Sequence, residues 1–147
     1  MPLEGEYEPS PWEWVREQVA EYEASGGERA NTLADTGLPI VVITTRGAKT
    51  GKLRKTPLMR IEHDGEYAIV ASMGGAPNNP SWYGNLAADP TALMLQDGPE
   101  PHDFVARELE GEERTTWWER AVKAFPQYAD YQKNTERTIP VFVVTRA

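Results

Sequence analysis

The amino-acid sequence predicts an α+β fold, in which about six mainly antiparallel strands form a barrel or half-open barrel with flanking helices. Three observations lead to this prediction. Short apolar runs separated by turn residues follow one another in hairpin order, and helical periodicity is confined to the start, middle and late parts of the chain. The regular strand–helix alternation of a dinucleotide-binding fold is missing, as is its G-x-G-x-x-G motif.

Composition limits the classes of function. A chain of 147 residues is expected to form one domain overall, and its net charge of −8 argues against nucleic-acid binding. The chain has no cysteine, which excludes disulfides, iron–sulfur ligation and a thiol nucleophile. Neither histidine belongs to a metal-binding spacing, so no metal site is expected. No signal peptide and no run of about 20 apolar residues is visible, and we expect a cytoplasmic location.

Residues 1–37 are predicted to form an amphipathic helix followed by a linker. The pattern Ser10-Pro11-Trp12-Glu13 indicates a helix start, with Ser10 as N-cap and Glu13 closing a capping box. The apolar positions that recur at helical spacing are Trp12, Val15, Val19 and Tyr22. Packing on the core is favoured over a membrane contact, because the polar face is acidic. A lid over a pocket and a peripheral contact with the inner face of the membrane both stay open.

The strands begin after this linker. The run Ile40–Thr45 has apolar residues at both its odd and its even positions, which predicts a strand buried on both faces. Arg54–Glu62 is predicted to be one strand, and Pro57 within it indicates an edge or a bulge. A hairpin turn at residues 63–66 leads into the strand Tyr67–Ser72.

Further along, Asn79 is predicted to cap a short helix that ends at Ala88, before Asp89-Pro90. The remaining predicted elements are, in order, a hairpin of Thr91–Gln96 and His102–Glu108, a helix over Glu110–Ala124, a helical turn or two in Gln127–Asn134, and a closing strand over Thr138–Thr145.

A basic stretch lies between the first two strands, in Thr44–Met59. Five cations fall within ten residues, namely Arg46, Lys49, Lys52, Arg54 and Lys55. Two glycines between them allow a close backbone approach, so a strand, a cationic glycine turn and a second strand suit a bound anion. A solvated basic hairpin is the alternative. A P-loop is excluded, because the residue order differs and Pro57 would break the helix that a P-loop opens.

Aromatic residues supply the second half of a possible site. A loop rich in glycine, proline and asparagine leads to Trp82 and Tyr83, and Phe125, Tyr128 and Tyr131 follow late in the chain. These parts suit a phosphorylated, flat, aromatic cofactor. No catalytic triad or G-x-S-x-G motif is visible, which is expected if the cofactor carries the chemistry and no catalytic side chain is required.

Three motifs in these stretches resemble the deazaflavin (coenzyme F420)-dependent nitroreductase family of actinobacteria. The first is Thr-x-Gly-x-Lys-Thr-Gly-x-x-Arg-x-x-Pro-Leu at residues 45–58. The second is Ser-x-Gly-Gly-x-x-x-Asn-Pro-x-Trp-Tyr-x-Asn-Leu at residues 72–86. The third is Tyr-x-x-Tyr followed by Arg-Thr-Ile-Pro, which comprises Tyr128, Tyr131 and residues 137–140.

The resemblance implies a split β-barrel like that of flavin-mononucleotide (FMN)-binding proteins, formed by residues 38–147. It also implies a reductase that passes hydride from reduced coenzyme F420 to a small-molecule acceptor. Quinones, conjugated carbonyls (enones or coumarin-like compounds) and nitroaromatics are the candidate acceptors. An FMN-dependent oxidoreductase of the same fold and a non-catalytic cofactor-binding protein remain alternatives. The oligomeric state is expected to be monomer or homodimer.

The resemblance also implies a set of site residues. The residues implied for the phosphate and the anionic oligoglutamate tail of the coenzyme are Ala48, Lys49, Thr50, Arg54, Lys55 and Thr56. Those implied for the deazaflavin ring are Val70, Ala71, Ser72, Met73, Ser81, Trp82, Tyr83, Gly84, Asn85 and Tyr128. Met59, Phe125 and Tyr131 are implied to face the substrate.

Three of these positions depart from the family pattern. Ala48 stands where arginine is common, and Met73 stands where better-known members carry lysine. Phe125 replaces a tyrosine of nitroimidazole-reducing members, which puts nitroimidazole reduction in doubt.

Overall fold

The computed structural model describes residue 3 and residues 5–33, 36–75 and 78–147. Within these residues the helices are α1 (Glu13–Ser25), α2 (Ser81–Ala88), α3 (Gly111–Ala124) and α4 (Gln127–Lys133). The strands are β1 (Ile40–Arg46), β2 (Leu53–Met59), β3 (Ile61–His63), β4 (Glu66–Val70), β5 (Leu93–Gln96), β6 (Pro101–Glu108) and β7 (Val141–Arg146), and a 3₁₀ turn spans Met73–Gly75.

The seven strands form one sheet in the order β2-β1-β5-β6-β7-β4-β3, and every pairing is antiparallel. β2 and β3 lie at opposite ends of this order, although Arg60 alone separates them in sequence. The sheet must therefore curl until its two ends meet. The result is a split β-barrel, as predicted, with β2 facing β4 across the seam.

The predicted strand Arg54–Glu62 is wrong as a single strand, and this is why the count is seven and not six. Arg60 sits at the corner between β2 and β3, where its N–H donates to the Pro39 carbonyl (3.0 Å) and its Nε to Asp97 (2.9 Å). Such a corner is stabilised by distant partners, so the local apolar pattern does not reveal it. The edge position predicted from Pro57 is confirmed, because β2 ends the sheet.

The sheet is covered on both faces. Along β1, Ile40 and Val42 belong to an apolar cluster with α1, α3 and α4, whereas Val41 and Ile43 belong to a second cluster with α2. These four side chains are each at most 2% exposed, which confirms the prediction of a strand buried on both faces.

The start of α1 differs from the prediction. Val15, Val19 and Tyr22 are buried as predicted, but Trp12 is 54% exposed and is itself the N-cap. The Ser10 hydroxyl accepts a hydrogen bond from the Trp12 N–H (3.2 Å), two residues ahead. Ser10 therefore stabilises a bend before the helix and does not cap it.

The later elements agree with the predictions to within a few residues. The turn between β3 and β4 contains Asp64 and Gly65 at positive φ, and the hairpin of β5 and β6, the helices α3 and α4 and the closing strand β7 all form. The predicted cap of α2 is wrong, because Pro80 is the N-cap and the Asn79 side chain accepts from Arg137 instead. No helix within the described ranges is long and apolar enough to cross a bilayer.

Candidate functional site

A pocket of about 640 Å³ lies between β2 and the end of β4 and is bordered by all the helices except α3. Its lining comprises Arg54, Lys55, Thr56, Pro57, Leu58 and Met59 of β2; Ile40, Val70, Ser72 and Met73; Pro80, Ser81, Trp82 and Asn85; Phe125, Tyr128 and Tyr131; and Ser10, Pro11, Trp12, Trp14, Val15 and Leu33 from the N-terminal part. The volume is in the range of a small-molecule or cofactor site.

Strand β2 sets the polarity of this pocket along its length. Its first pocket residues, Arg54 and Lys55, are cationic, whereas its last, Leu58 and Met59, are apolar. At about 3.3 Å per residue, the strand separates Arg54 from Met59 by about 16 Å. The pocket therefore has a charged end and an apolar end, which suits an elongated ligand that is anionic at one end.

Carboxylates from the N-terminal part of the chain pair with these cations. Arg54 lies 3.6 Å from Glu8, Lys52 lies 3.9 Å from Glu6, and Lys55 pairs with Glu23 of α1. All three cations and their partners retain solvent exposure, so each pair contributes little to stability.

The backbone brings the first two carboxylates into position. The Leu53 N–H donates to the Glu6 carbonyl (2.7 Å), and the Glu8 N–H donates to the Leu53 carbonyl (2.9 Å). Tyr7 forms a parallel β-bridge with Leu53, so residues 5–8 run alongside the start of β2.

The turn between β1 and β2 is closed by its own backbone and attached to α2. The Gly47 N–H donates to the Lys52 carbonyl at 2.7 Å. The Asn85 side chain accepts from the Ala48 N–H (3.0 Å) and donates to the Thr45 hydroxyl (3.1 Å). Asn85 therefore connects the cationic turn with the helix that carries Trp82.

Aromatic side chains form the apolar end. Trp82 of α2 is 4% exposed and packs against Phe142, with ring centroids 6.2 Å apart. Phe125 lies just before α4 and packs edge-on against Tyr128 and Tyr131 of that helix, with ring centroids 5.0 and 6.0 Å apart. Burial raises the pKa of the Tyr128 hydroxyl still further above neutrality, so this group is protonated at neutral pH, as an unperturbed tyrosine is.

The glycine loop, which comprises residues 71–75 and 78–79 in the part of the chain that is described, reaches the pocket through Ser72 and Met73. Met73 adopts a left-handed backbone conformation (φ 47°), which is uncommon for a residue other than glycine, and its side chain is 49% exposed. Gly75 (φ 83°) lies against α4, where an added Cβ would come within 2.8 Å of the Tyr131 carbonyl oxygen. The loop and α4 are therefore in direct backbone contact.

Comparison with known proteins assigns the family. The family described as F420H2-dependent quinone reductase matches residues 14–146. An F420H2-dependent quinone reductase of Mycobacterium tuberculosis is 35% identical over 111 residues, which cover 74% of each chain. The chain belongs to the F420H2-dependent quinone reductase family. The predicted family resemblance, cofactor and reductase activity are thereby confirmed.

Solved structures agree with this assignment. An F420H2-dependent reductase named FDR-A is 59% identical, with a TM-score of 0.68, and the match covers 72% of this chain and 93% of that one. A chain described as a domain-swapped dimer is 53% identical, with a TM-score of 0.70 over 92% of this chain and 99% of that one. A FAD-binding protein from Mesorhizobium loti (14% identity, TM-score 0.52) shares the fold alone.

The residues present in this reductase fit coenzyme F420, whose flat deazaflavin ring continues into a phosphate and an anionic glutamate tail. Arg54 and Lys55 carry the charge needed for the anionic portion. Trp82 on one wall and Tyr128 on the other offer faces and edges for a planar ring. Within the described residues no group of three His, Cys, Asp or Glu side chains could hold a metal ion.

Most of the residues predicted for the site line the pocket, and six do not. The six lie nearby: Ala48, Lys49 and Thr50 in the cationic turn, Ala71 in the inner core, and Tyr83 and Gly84 on other sides of α2. Tyr83 donates to Glu108 (3.0 Å), and this hydrogen bond raises the pKa of its hydroxyl.

Sequence reasoning left open whether the N-terminal helix covers the pocket, and it did not single out Trp14. Trp12 and Trp14 are both 54% exposed, and their rings lie 6.3 Å apart at the pocket lining. Trp12 is the N-cap and lies outside the helix, so helical periodicity does not fix the direction of its side chain relative to Trp14.

Proposed function

We propose that this F420-dependent reductase acts on quinones and other conjugated carbonyls, and that the pocket beside β2 is its active site. The observation that carries the proposal is the polarity of the pocket, with Arg54 and Lys55 at one end and buried aromatic walls at the other. A small flat acceptor without charge would share the apolar end with the deazaflavin ring. Nitroaromatics are a second proposed class of acceptor with the same flat shape.

When bound, the reduced coenzyme supplies a hydride to the acceptor. The protein's part is to orient the two ligands and exclude water. We propose that Arg54, Lys55 and Thr56 hold the anionic portion, together with Lys49 from the neighbouring turn. Trp82 and the end of β4 would support the ring.

The acceptor is proposed to lie among Met59, Phe125 and Tyr131. Phe125 and Met59 are each at most 7% exposed, so little of either side chain is in contact with water. The protonated hydroxyl of Tyr128 can donate a hydrogen bond to a carbonyl oxygen of the acceptor. Such a bond becomes stronger as negative charge develops on that oxygen, and the transition state is stabilised.

We further propose a cytoplasmic enzyme that forms a homodimer, since the 53% identical protein is described as a domain-swapped dimer. Residues 1–37 would belong to the same functional unit as the barrel, because Val15, Val19 and Tyr22 pack into the cluster that borders the pocket. The exposed Trp12 and Trp14 at the pocket could cover a bound acceptor or contact the inner face of the membrane.

The test is a fluorescence titration followed by turnover. Oxidised coenzyme F420 is titrated into the purified protein beside flavin mononucleotide, and quenching of tryptophan fluorescence is recorded. We expect micromolar binding of coenzyme F420. Reduced coenzyme is then mixed with a soluble quinone, an enone and a nitroaromatic, and reoxidation is followed by absorbance.

Each alternative has its own outcome. Quenching by flavin mononucleotide alone would move the protein to the flavin-dependent group. Binding of coenzyme F420 without turnover of any acceptor would indicate a non-catalytic cofactor-binding protein. Equal binding by an Arg54→Ala, Lys55→Ala variant would contradict the proposed location of the anionic portion.

A further inference from the structure

Arg137 connects both ends of the glycine loop, and the roles proposed above do not include it. Its guanidinium donates to the Ala71 carbonyl (3.1 Å), to the Ser72 carbonyl (2.8 Å) and to the Asn79 side chain (2.8 Å). Two of these acceptors precede the loop's turn and one follows it. A single side chain thus bridges the beginning and the end of a loop that reaches the pocket through Ser72 and Met73.

Arg137 is itself held by the helix that forms the aromatic wall. Gln132 of α4 donates to the Arg137 carbonyl (2.8 Å) and accepts from the Ile139 N–H (2.9 Å). Gln132 follows Tyr131, which lines the pocket. A continuous set of hydrogen bonds therefore runs from α4 through residues 137–139 to the glycine loop.

The loop needs such support because its conformation is strained. Met73 is held at a positive φ, which is unfavourable for a side chain of its kind. Gly75 contacts the Tyr131 backbone so closely that the loop and α4 cannot shift independently. The bonds of Arg137 and the contact at Gly75 thus connect the loop to the segments on either side of the aromatic wall.

We propose that Arg137 is a positioning residue for hydride transfer, setting the width of the pocket between the glycine loop and α4. The proposal rests on the proposed function, because it assumes that the ring and the acceptor lie between these two walls. Arg137 is not among the pocket-lining residues and would act only through the loop. Its loss should slow the transfer step while leaving the anionic portion of the coenzyme bound at β2.

The test variant is Arg137→Lys, which keeps the charge but lacks the planar fork that reaches three acceptors. We expect the rate of coenzyme reoxidation in a single turnover to fall about 10- to 100-fold, as for a small displacement of reacting groups. The Kd for the coenzyme should stay within about threefold. Hydrogen exchange of the Ala71 and Gly75 amides, measured without ligand, should become about tenfold faster.

Arg114→Gln is the matched control. Arg114 also donates to a backbone carbonyl of this segment, that of Ile139 (2.6 Å), and its guanidinium lies over the Trp118 ring at 5.1 Å. Its loss should lower the Tm without changing the transfer rate of the folded protein. Equal transfer rates in the Arg137→Lys variant and the wild type would overturn the proposal, as would an equal loss in both variants.

A milder variant covers the case in which Arg137→Lys does not fold. Asn79→Ala removes one exposed acceptor and leaves the two carbonyl bonds of Arg137 intact, so it should fold and slow the transfer by a few-fold only. If the Asn79→Ala variant is the one that folds and its transfer rate equals that of the wild type, the proposal is overturned. If the wild type binds no coenzyme F420 but loop exchange still accelerates in the Arg137→Lys variant, the proposed function fails while the support of the loop by Arg137 stands.

Discussion

Two sides of the pocket, the β2 side and the glycine-loop side, are held in different ways. On the β2 side, Arg54 and Lys55 are paired with Glu8 and Glu23 through side chains that are partly exposed, and the nearest polar atoms of the first pair are 3.6 Å apart. On the loop side, Arg137 makes hydrogen bonds of 2.8–3.1 Å, mostly to backbone carbonyls. We call the β2 side exchangeable, because its partners are carboxylates on partly exposed side chains, and the loop side fixed, because its partners are mostly backbone carbonyls.

The proposed function gives a physical reason for this difference. A cation that binds an anionic ligand has to release any carboxylate paired with it, so only weak exposed pairs are compatible with binding. A wall that sets the distance between two reacting groups has to resist displacement, since a small error in position is costly. Substitutions on the fixed side should therefore lower stability, and substitutions on the exchangeable side should change coenzyme binding.

The largest effect is expected for Trp82→Ala on the fixed side. Trp82 is buried and packs against Phe142, so its loss should leave a cavity and lower the free energy of unfolding by about 3–5 kcal/mol. Chemical denaturation measures this loss. Trp14→Ala, at a half-exposed position, serves as the control and should change stability by less than about 1 kcal/mol. Equal losses in the two variants would contradict the comparison.

The next largest effect is expected for Gly75→Ala. The new Cβ would come within 2.8 Å of the Tyr131 carbonyl oxygen at a positive φ, so we expect a loss of about 1–3 kcal/mol in unfolding free energy. Gly84→Ala is the control, since nothing lies within 4 Å of its added Cβ, and it should stabilise α2 by up to about 1 kcal/mol. Thermal unfolding of both variants measures the two changes. An equal Tm in the two variants would mean that Gly75 and the Tyr131 backbone are not in close contact.

On the exchangeable side, Arg54→Ala and Lys49→Ala should each weaken coenzyme binding by about 1–3 kcal/mol, the usual loss for a charge-assisted hydrogen bond. The fluorescence titration measures the Kd. Lys123→Ala, an exposed cation of α3, is the control for the change in net charge. Unchanged affinity in both test variants would rule out an anion site at this turn.

The smallest effect is expected when the competing carboxylates are neutralised. In a Glu6→Gln, Glu8→Gln variant the partners of Lys52 and Arg54 lose their charge, and coenzyme affinity should rise about two- to fivefold, because an exposed pair is worth less than about 1 kcal/mol. A Glu17→Gln, Glu28→Gln variant changes the net charge equally at other surface positions. Equal gains in the two variants would mean that general charge, and not pairing, controls binding.

Much of the fold could be predicted from local pattern. The alternation of apolar residues and turn residues was sufficient for β1, for the hairpins and for the helices α3 and α4. The position of Arg60 could not be predicted, because an apolar pattern continues through it while the chain crosses to the other edge of the sheet. The start of α1 was also misjudged, since the capping pattern at Ser10 competes with a local bend.

For the site, the sequence indicated the residue types that line the pocket but not the hydrogen bonds that hold them in position. Arg54, Trp82 and Tyr128 could be singled out because cations, glycines and aromatic residues recur in motifs of fixed spacing. Asn85 was assigned to the cofactor and lines the pocket, and the structure adds that its side chain connects the cationic turn with α2. Arg137 was part of the third motif, but no local pattern reveals that its partners lie 58–66 residues away.

The sequence by itself determined the strand and helix inventory, the acidic character of the chain, the family and the residue types of the pocket, because these depend on local periodicity and on motifs of fixed spacing. Only the tertiary structure decided that β2 and β3 lie at opposite edges, that Glu6 and Glu8 pair with the cations, and that Arg137 spans the glycine loop. These are contacts between residues far apart in the chain, so they depend on how the curled sheet brings separate segments together.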